Sequence, residues 1–160
     1  MTNTIRLLRE TDNKGLAEII RAALDEFGIP KIGTVYSDPT TDDLYALFKQ
    51  NGSCYFVAGD NKALLGGCGI YPTPGLPDGC AELVKLYLRS EARGQGTGKQ
   101  LLDTCIKTAR SMGYKQLYIE SFPELNNAVG LYLKAGFYYL DHPLGNSGHH
   151  ACTIWMLKDL

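Results

Sequence analysis

Arg93-Gly94-Gln95-Gly96-Thr97-Gly98-Lys99 lies between two patterned segments of the chain. Before it, residues 81–89 alternate in polarity. After it, apolar residues recur at helical spacing from Leu101. A strand that turns through glycines into a helix presents unpaired backbone N–H groups at the helix N-terminus. Together with the helix dipole, these groups form an anion site. Glycine at every second position lets a phosphate approach the backbone closely, and Arg93 and Lys99 add positive charge. The plain alternative is a tight turn with no ligand. Two familiar phosphate loops do not fit. The P-loop pattern requires glycine where Arg93 stands and a hydroxyl residue where Gln100 stands, so the magnesium ligand is missing. The dinucleotide pattern G-x-G-x-x-G requires glycine at Lys99 or at Leu101.

Outward from this loop the chain reads as alternating strands and helices. Residues 5–9 form a short strand, and Asp12 caps a helix carrying Leu16, Ile19, Ile20, Ala23, Leu24 and Phe27, ended by Gly28 and Pro30. After an irregular loop over 29–40, Thr40 or Thr41 caps a shorter helix with Leu44, Leu47 and Phe48. Residues 53–59 and 63–71 are strands, with Asp60 and Asn61 as a hairpin turn. In 81–89 the alternation predicts Glu82, Val84, Leu86 and Leu88 on one face, and Leu83, Lys85 and Tyr87 on the other. The helix after the glycine loop is stopped by Gly113. A strand over 115–121, a helix opened by Pro123 and ended by Gly136, and strands over 137–140 and 152–157 complete the chain. The order β-α-α-β-β-β-α-β-α-β-β predicts an α/β (α+β) fold, a mixed sheet with helices on both faces. No linker or repeat divides residues 1–160, so one domain is expected.

Arg93-x-x-Gly96-x-Gly98 matches the acetyl-CoA signature [RQ]-x-x-G-x-[GA], and here the sequence resembles the GNAT N-acetyltransferase superfamily. Glu82-Leu83-Val84-Lys85-Leu86-Tyr87-Leu88 is similar to that family's fourth strand. Leu131-Tyr132-Leu133-Lys134-Ala135-Gly136-Phe137 is similar to its later L-Y-x-x-x-G-F motif, at the family's usual separation. Many members carry Asn where Leu125 stands, and here Asn126 and Asn127 follow it.

The resemblance implies a mostly antiparallel sheet of about seven strands, splayed between the fourth and fifth. It implies acetyl-CoA as co-substrate, with no metal. The backbone of Leu86, Tyr87 and Leu88 would pair with the pantetheine arm. Arg93, Gly94, Gln95, Gly96, Thr97, Gly98 and Lys99 would hold the diphosphate, and Lys134 falls within the second motif. Tyr132 is the expected general acid, since a phenol titrates near pH 10, close to the departing thiol. Glu82 is the expected base and Glu120 the second candidate, and either could instead be a strand-end carboxylate in a salt bridge. The acceptor would be a small-molecule amine or a peptide amine, met by residues 25–43 and 141–151, the first of which is acidic. An inactive CoA-binding sensor would keep the loop but has no use for Tyr132. Members of this family are often homodimers.

Composition sets bounds on these readings. Sixteen basic and 17 acidic residues give a formal charge of −1, which argues against a nucleic-acid binder built on bulk phosphate attraction. The apolar runs are too short to span a membrane. Met1-Thr2-Asn3-Thr4 lacks a basic leader, and five widely spaced cysteines read as reduced core thiols, so a cytoplasmic protein is expected. His142, His149 and His150 have no metal spacing and read as solvated loop residues, one of which could line the acceptor pocket.

Overall fold

The computed structural model describes residues 3–59 and 62–160. The expected turn at Asp60 and Asn61 lies outside the described residues. Strand β1 (Thr4–Leu7) leads through a short 3-10 turn into helix α1 (Asn13–Glu26). The apolar positions that gave α1 its helical spacing are the ones it buries: Leu16, Ile19, Ile20, Ala23 and Leu24. Asp12 anchors its start, accepting from Arg9 N at 2.8 Å and pairing with Arg6 at 2.8 Å. Gly28, at φ +68°, closes its end, and Ile29 N donates back to Leu24 O at 3.0 Å.

Helix α2 (Leu44–Leu47) is a single turn, preceded by a 3-10 turn over Pro39–Asp42. The remaining elements are β2 (Cys54–Gly59), β3 (Leu64–Tyr71), β4 (Cys80–Leu88), α3 (Thr97–Ser111), β5 (Gln116–Ser121), α4 (Asn126–Lys134), β6 (Tyr138–Tyr139) and β7 (Ile154–Asp159). Pro123 opens a 3-10 turn, and α4 begins three residues later.

The seven strands form one sheet in the order β1-β2-β3-β4-β5-β7-β6. All pairings are antiparallel except β4 with β5. Each face carries its own core. Leu101, Leu102, Cys105 and Ala109 of α3 pack with Leu83, Leu117 and Met156 on one side. Leu16, Ile20 and Leu24 of α1 pack with Tyr55 and Val57 on the other. The mixed sheet with helices on both faces is therefore as the sequence predicts. None of the five cysteines is paired. Among the described residues no helix is long and apolar enough to cross a membrane.

The expected alternation along 81–89 does not hold. Gly69 pairs with Val84 and Gly67 with Tyr87, so three steps on β4 oppose two on β3. This is a β-bulge, centred on Lys85 at φ +55°. Glu82 and Val84 therefore share the α1 face with Tyr87, while Leu86 and Leu88 join Leu83 on the α3 face. A left-handed residue bearing a Cβ costs about 1–2 kcal/mol. The Tyr55 hydroxyl helps hold it, donating to Lys85 O at 2.8 Å. Periodicity cannot reveal an extra residue, because the flanking residues remain apolar on both faces.

A bulged strand bends, and β4 leaves its neighbour. The β4–β5 ladder contains Cys80↔Gln116, Ala81↔Leu117 and Glu82↔Tyr118, and no pair beyond these. The expected splay thus begins one residue past Glu82.

Glycine makes room for the tyrosine that braces the bulge. A Cβ at Gly67 would lie 2.3 Å from Tyr55 Cε1, and one at Gly69 would lie 2.6 Å from Cδ2. Gly67→Ala is expected to push the Tyr55 ring aside and destabilise the protein by about 1–3 kcal/mol. This should lower the melting temperature by roughly 2–10 °C, measured by thermal unfolding.

Candidate active site

The parting of β4 from β5 opens a cleft of about 490 Å³. Its walls are the C-terminal half of β4, the glycine loop, the start of α4 and the end of α1. Gly94 and Gly96 sit at φ +74° and +84°, and Gly96 is the N-cap of α3. A Cβ at either would meet nothing within 4 Å, so the left-handed backbone, not crowding, requires glycine there.

Of the residues expected to hold the co-substrate, Leu86, Tyr87, Leu88, Arg93, Gly94, Gly96, Gly98 and Lys99 line this cleft. Asn126 and Asn127 line it too, although the motif position before them is Leu125. Gln95 lies off the wall, its side chain donating to Glu91 O at 2.9 Å. Thr97 is buried, with its hydroxyl accepting from Asn3 at 2.8 Å. Lys134 is exposed at the far end of α4.

Both cations of the loop have partners within the chain. Arg93 pairs with Glu26, donates to Leu88 O at 3.0 Å and stacks 4.8 Å above the Phe27 ring. Lys99 pairs with Asp103 at 2.6 Å along one face of α3.

On the other side of Tyr87 and Leu125, which border both spaces, is a small cavity of about 50 Å³. It is lined by Glu82, Lys85, Glu120, His149 and Cys152. Glu82 is 5% exposed and accepts from Thr73 Oγ1 at 2.6 Å. Burial is the main reason its pKa rises to about 7. Glu120 pushes the same way, and the Thr73 hydrogen bond and Lys85 oppose. Glu120 accepts from Tyr118 Oη at 2.8 Å and from Ser147 Oγ.

Of the two readings of His149, solvated loop or pocket wall, the structure gives the second: it lines the cavity, only 18% of its side chain is exposed, and its Nε2 lies 3.1 Å from Asp38 Oδ2. Burial lowers its pKa, with Lys85 adding to the effect. Burial alone would raise the Asp38 pKa, but hydrogen bonds from Thr40 and His149 hold it below the usual range. His142 and His150 are exposed, as expected. The Cys152 thiol is pushed up to about 12 by burial and is no nucleophile at neutral pH.

Tyr132 is buried in the core on the α3 side, edge-on to Phe137 at 5.8 Å between centroids. It is not among the residues that line the cleft, and burial raises its pKa, so the phenol is protonated at neutral pH. Lys85 lies in the strand that resembles the family's fourth, and Asp38 and His149 in the segments expected to meet the acceptor, but nothing in the sequence marks Thr73 or brings these four together. Asp38 and His149 are 111 residues apart in the chain and meet only in the fold.

The acetyltransferase (GNAT) family model matches residues 16–137. The chain is 36% identical over 157 residues to the uncharacterized N-acetyltransferase YjgM of Escherichia coli (strain K12), covering 98% of this chain and 94% of that one. Its backbone is similar to a GNAT-family acetyltransferase of Staphylococcus aureus Mu50, with TM-score 0.87 and 21% identity over 99% of each chain. It is also similar to the PaiA N-acetyltransferase of Thermoplasma acidophilum, solved in complex with coenzyme A, with TM-score 0.78 and 21% identity over the whole of both chains.

The Glu82 pKa carries a stability signature. The folded value, about 7, exceeds the ordinary 4.5, so between these pH values the folded protein holds the extra proton. Stability conferred by this group is full at low pH and falls as pH rises toward 7, by on the order of 2–3 kcal/mol. Glu82→Gln removes that loss. Its melting temperature is expected to exceed the wild type's by several degrees at pH 8, with the gap closing at pH 5.

Proposed function

Because the chain belongs to the acetyltransferase (GNAT) family, we propose that it moves an acetyl group from acetyl-CoA to a primary amine by direct attack within a ternary complex. One observation carries this reading. β4 leaves β5 one residue past Glu82, and a cleft lined by the glycine loop borders, at Tyr87 and Leu125, a cavity holding a carboxylate whose pKa rises to about 7. The cleft suits a long phosphorylated thioester. Backbone N–H groups of the glycine loop meet the diphosphate at the positive end of α3. The free edge of β4 over Leu86, Tyr87 and Leu88 takes the amide arm as an added strand. Arg93 exchanges Glu26 for the diphosphate.

The amine enters on the Glu82 side. It arrives as an ammonium, and the Glu82 carboxylate takes one proton, directly or through water, freeing the lone pair. Nitrogen then bonds to the thioester carbon as the carbon–sulfur bond breaks, and sulfur leaves with that electron pair. A β4 backbone N–H donates to the carbonyl oxygen while it carries charge. Tyr132, the phenol of the family motif, gives its proton to the leaving sulfur where the thioester arm reaches its hydroxyl. The second amine proton, released as the amide forms, restores the phenol through water. A Glu82 pKa of about 7 suits a base that must accept and return a proton at neutral pH. Glu120, tied to Tyr118 and Ser147, is the less free of the two carboxylates.

Tyr132→Phe is expected to cut turnover at least tenfold while acetyl-CoA binding, followed by thermal shift, stays near the wild-type value. Unchanged turnover removes Tyr132 from the mechanism. The pH dependence of kcat/KM is expected to show an acidic limb near pH 7 that disappears in Glu82→Gln and persists in Glu120→Gln. A limb retained in Glu82→Gln transfers the role of base elsewhere.

A further inference from the structure

Lys85 occupies the strained residue of the bulge. Regular alternation would turn it away from Glu82, but the extra residue brings it to the cavity that Glu82 lines. There it lies within electrostatic reach of Asp38, Glu82 and His149. Among the described residues its ammonium makes neither an ion pair nor a hydrogen bond. Three other cations do pair: Arg21 with Asp42, Lys31 with Asp25 and Lys99 with Asp103.

The nearby carboxylates are engaged by other groups. Asp38 is held by Thr40 and His149, Glu82 by Thr73, and Glu120 by Tyr118 and Ser147. A half-buried ammonium lacking a direct partner is costly, and a ligand that supplies an anion recovers that cost.

From this arrangement we infer that the acceptor carries a carboxylate beside its amine, as a free amino acid does, and that Lys85 is the specificity-determining residue that recognises it. The inference rests on the acetyl-transfer reading above and narrows it. A simple alkylamine would bring a second cation next to Lys85. An amino acid brings opposite charges to opposite partners, its ammonium toward Glu82 and its carboxylate toward Lys85. The small cavity suits such a compact head group. A lysine side chain within a protein has no carboxylate beside its amine, and neither does a peptide N-terminus, so both are poorer acceptors. The left-handed backbone is thus the device that sets a cation and a base on one face of one strand.

The test is thiol release from acetyl-CoA with a panel of amino acids, their carboxamides and the matching decarboxylated amines, on wild type, Lys85→Met and Lys85→Arg. Acetyl-CoA-induced thermal shift verifies that each variant folds and binds the co-substrate. The wild type is expected to favour acids over carboxamides at least tenfold in kcat/KM, mainly through KM. Lys85→Met should bring that ratio to about one, and Lys85→Arg should keep it. Carboxamides or plain amines turned over as well as the acids, or a ratio unchanged in Lys85→Met, overturns the inference and leaves acetyl transfer standing. If no amine of the panel elicits thiol release while acetyl-CoA still binds, the transfer reading is overturned and this inference with it.

Discussion

One additional residue in β4 governs the geometry of the protein's working half. At Lys85 the backbone enters the left-handed region, and three residues of β4 oppose two of β3. The strand then parts from β5 after Glu82. In an unbroken ladder the backbone groups of Leu86 to Leu88 would face a neighbouring strand. The strain is distributed over packing elsewhere. Gly67 and Gly69 give up their side chains so that the Tyr55 ring can lie across them and hydrogen-bond to the bulge.

The parting strands organise charge as well as space. On the glycine-loop side the features are electropositive: left-handed glycines, a helix N-terminus, Arg93 and Lys99. On the far side are Glu82, Glu120 and Asp38, with Lys85 among them. The two environments meet at Tyr87 and Leu125. On the acetyl-transfer reading, such an arrangement separates an anionic donor from an acceptor that must lose a proton. It also explains why Glu82 titrates far from its ordinary range, since it is buried with a second carboxylate nearby and only a neutral hydroxyl in contact.

Arg93 links the halves of the molecule. Its contacts with Glu26 and Phe27 tie the end of α1 to the glycine loop, and its bond to Leu88 O caps the free edge of β4. On the proposed reading the same guanidinium is the cation that the loop offers to a diphosphate, so a ligand there would compete with an internal carboxylate.

Short-range chemistry made much of this legible from the sequence. Apolar spacing located α1 and α3, glycines marked their ends, and Arg93-x-x-Gly96-x-Gly98 with the Leu131 to Phe137 motif identified the family's fold and the loop that lines the cleft. The facing of residues past Val84 could not be read, because a bulge shifts side chains between faces without altering which residues are apolar. Nor could the surroundings of Glu82. Its pKa depends on Thr73, Lys85 and Glu120, and the wall it shares with His149 depends on a loop more than 60 residues away. Local hydrogen bonding and periodicity are encoded within a few residues of chain. Burial, charge proximity and the parting of two strands arise only when distant segments pack together.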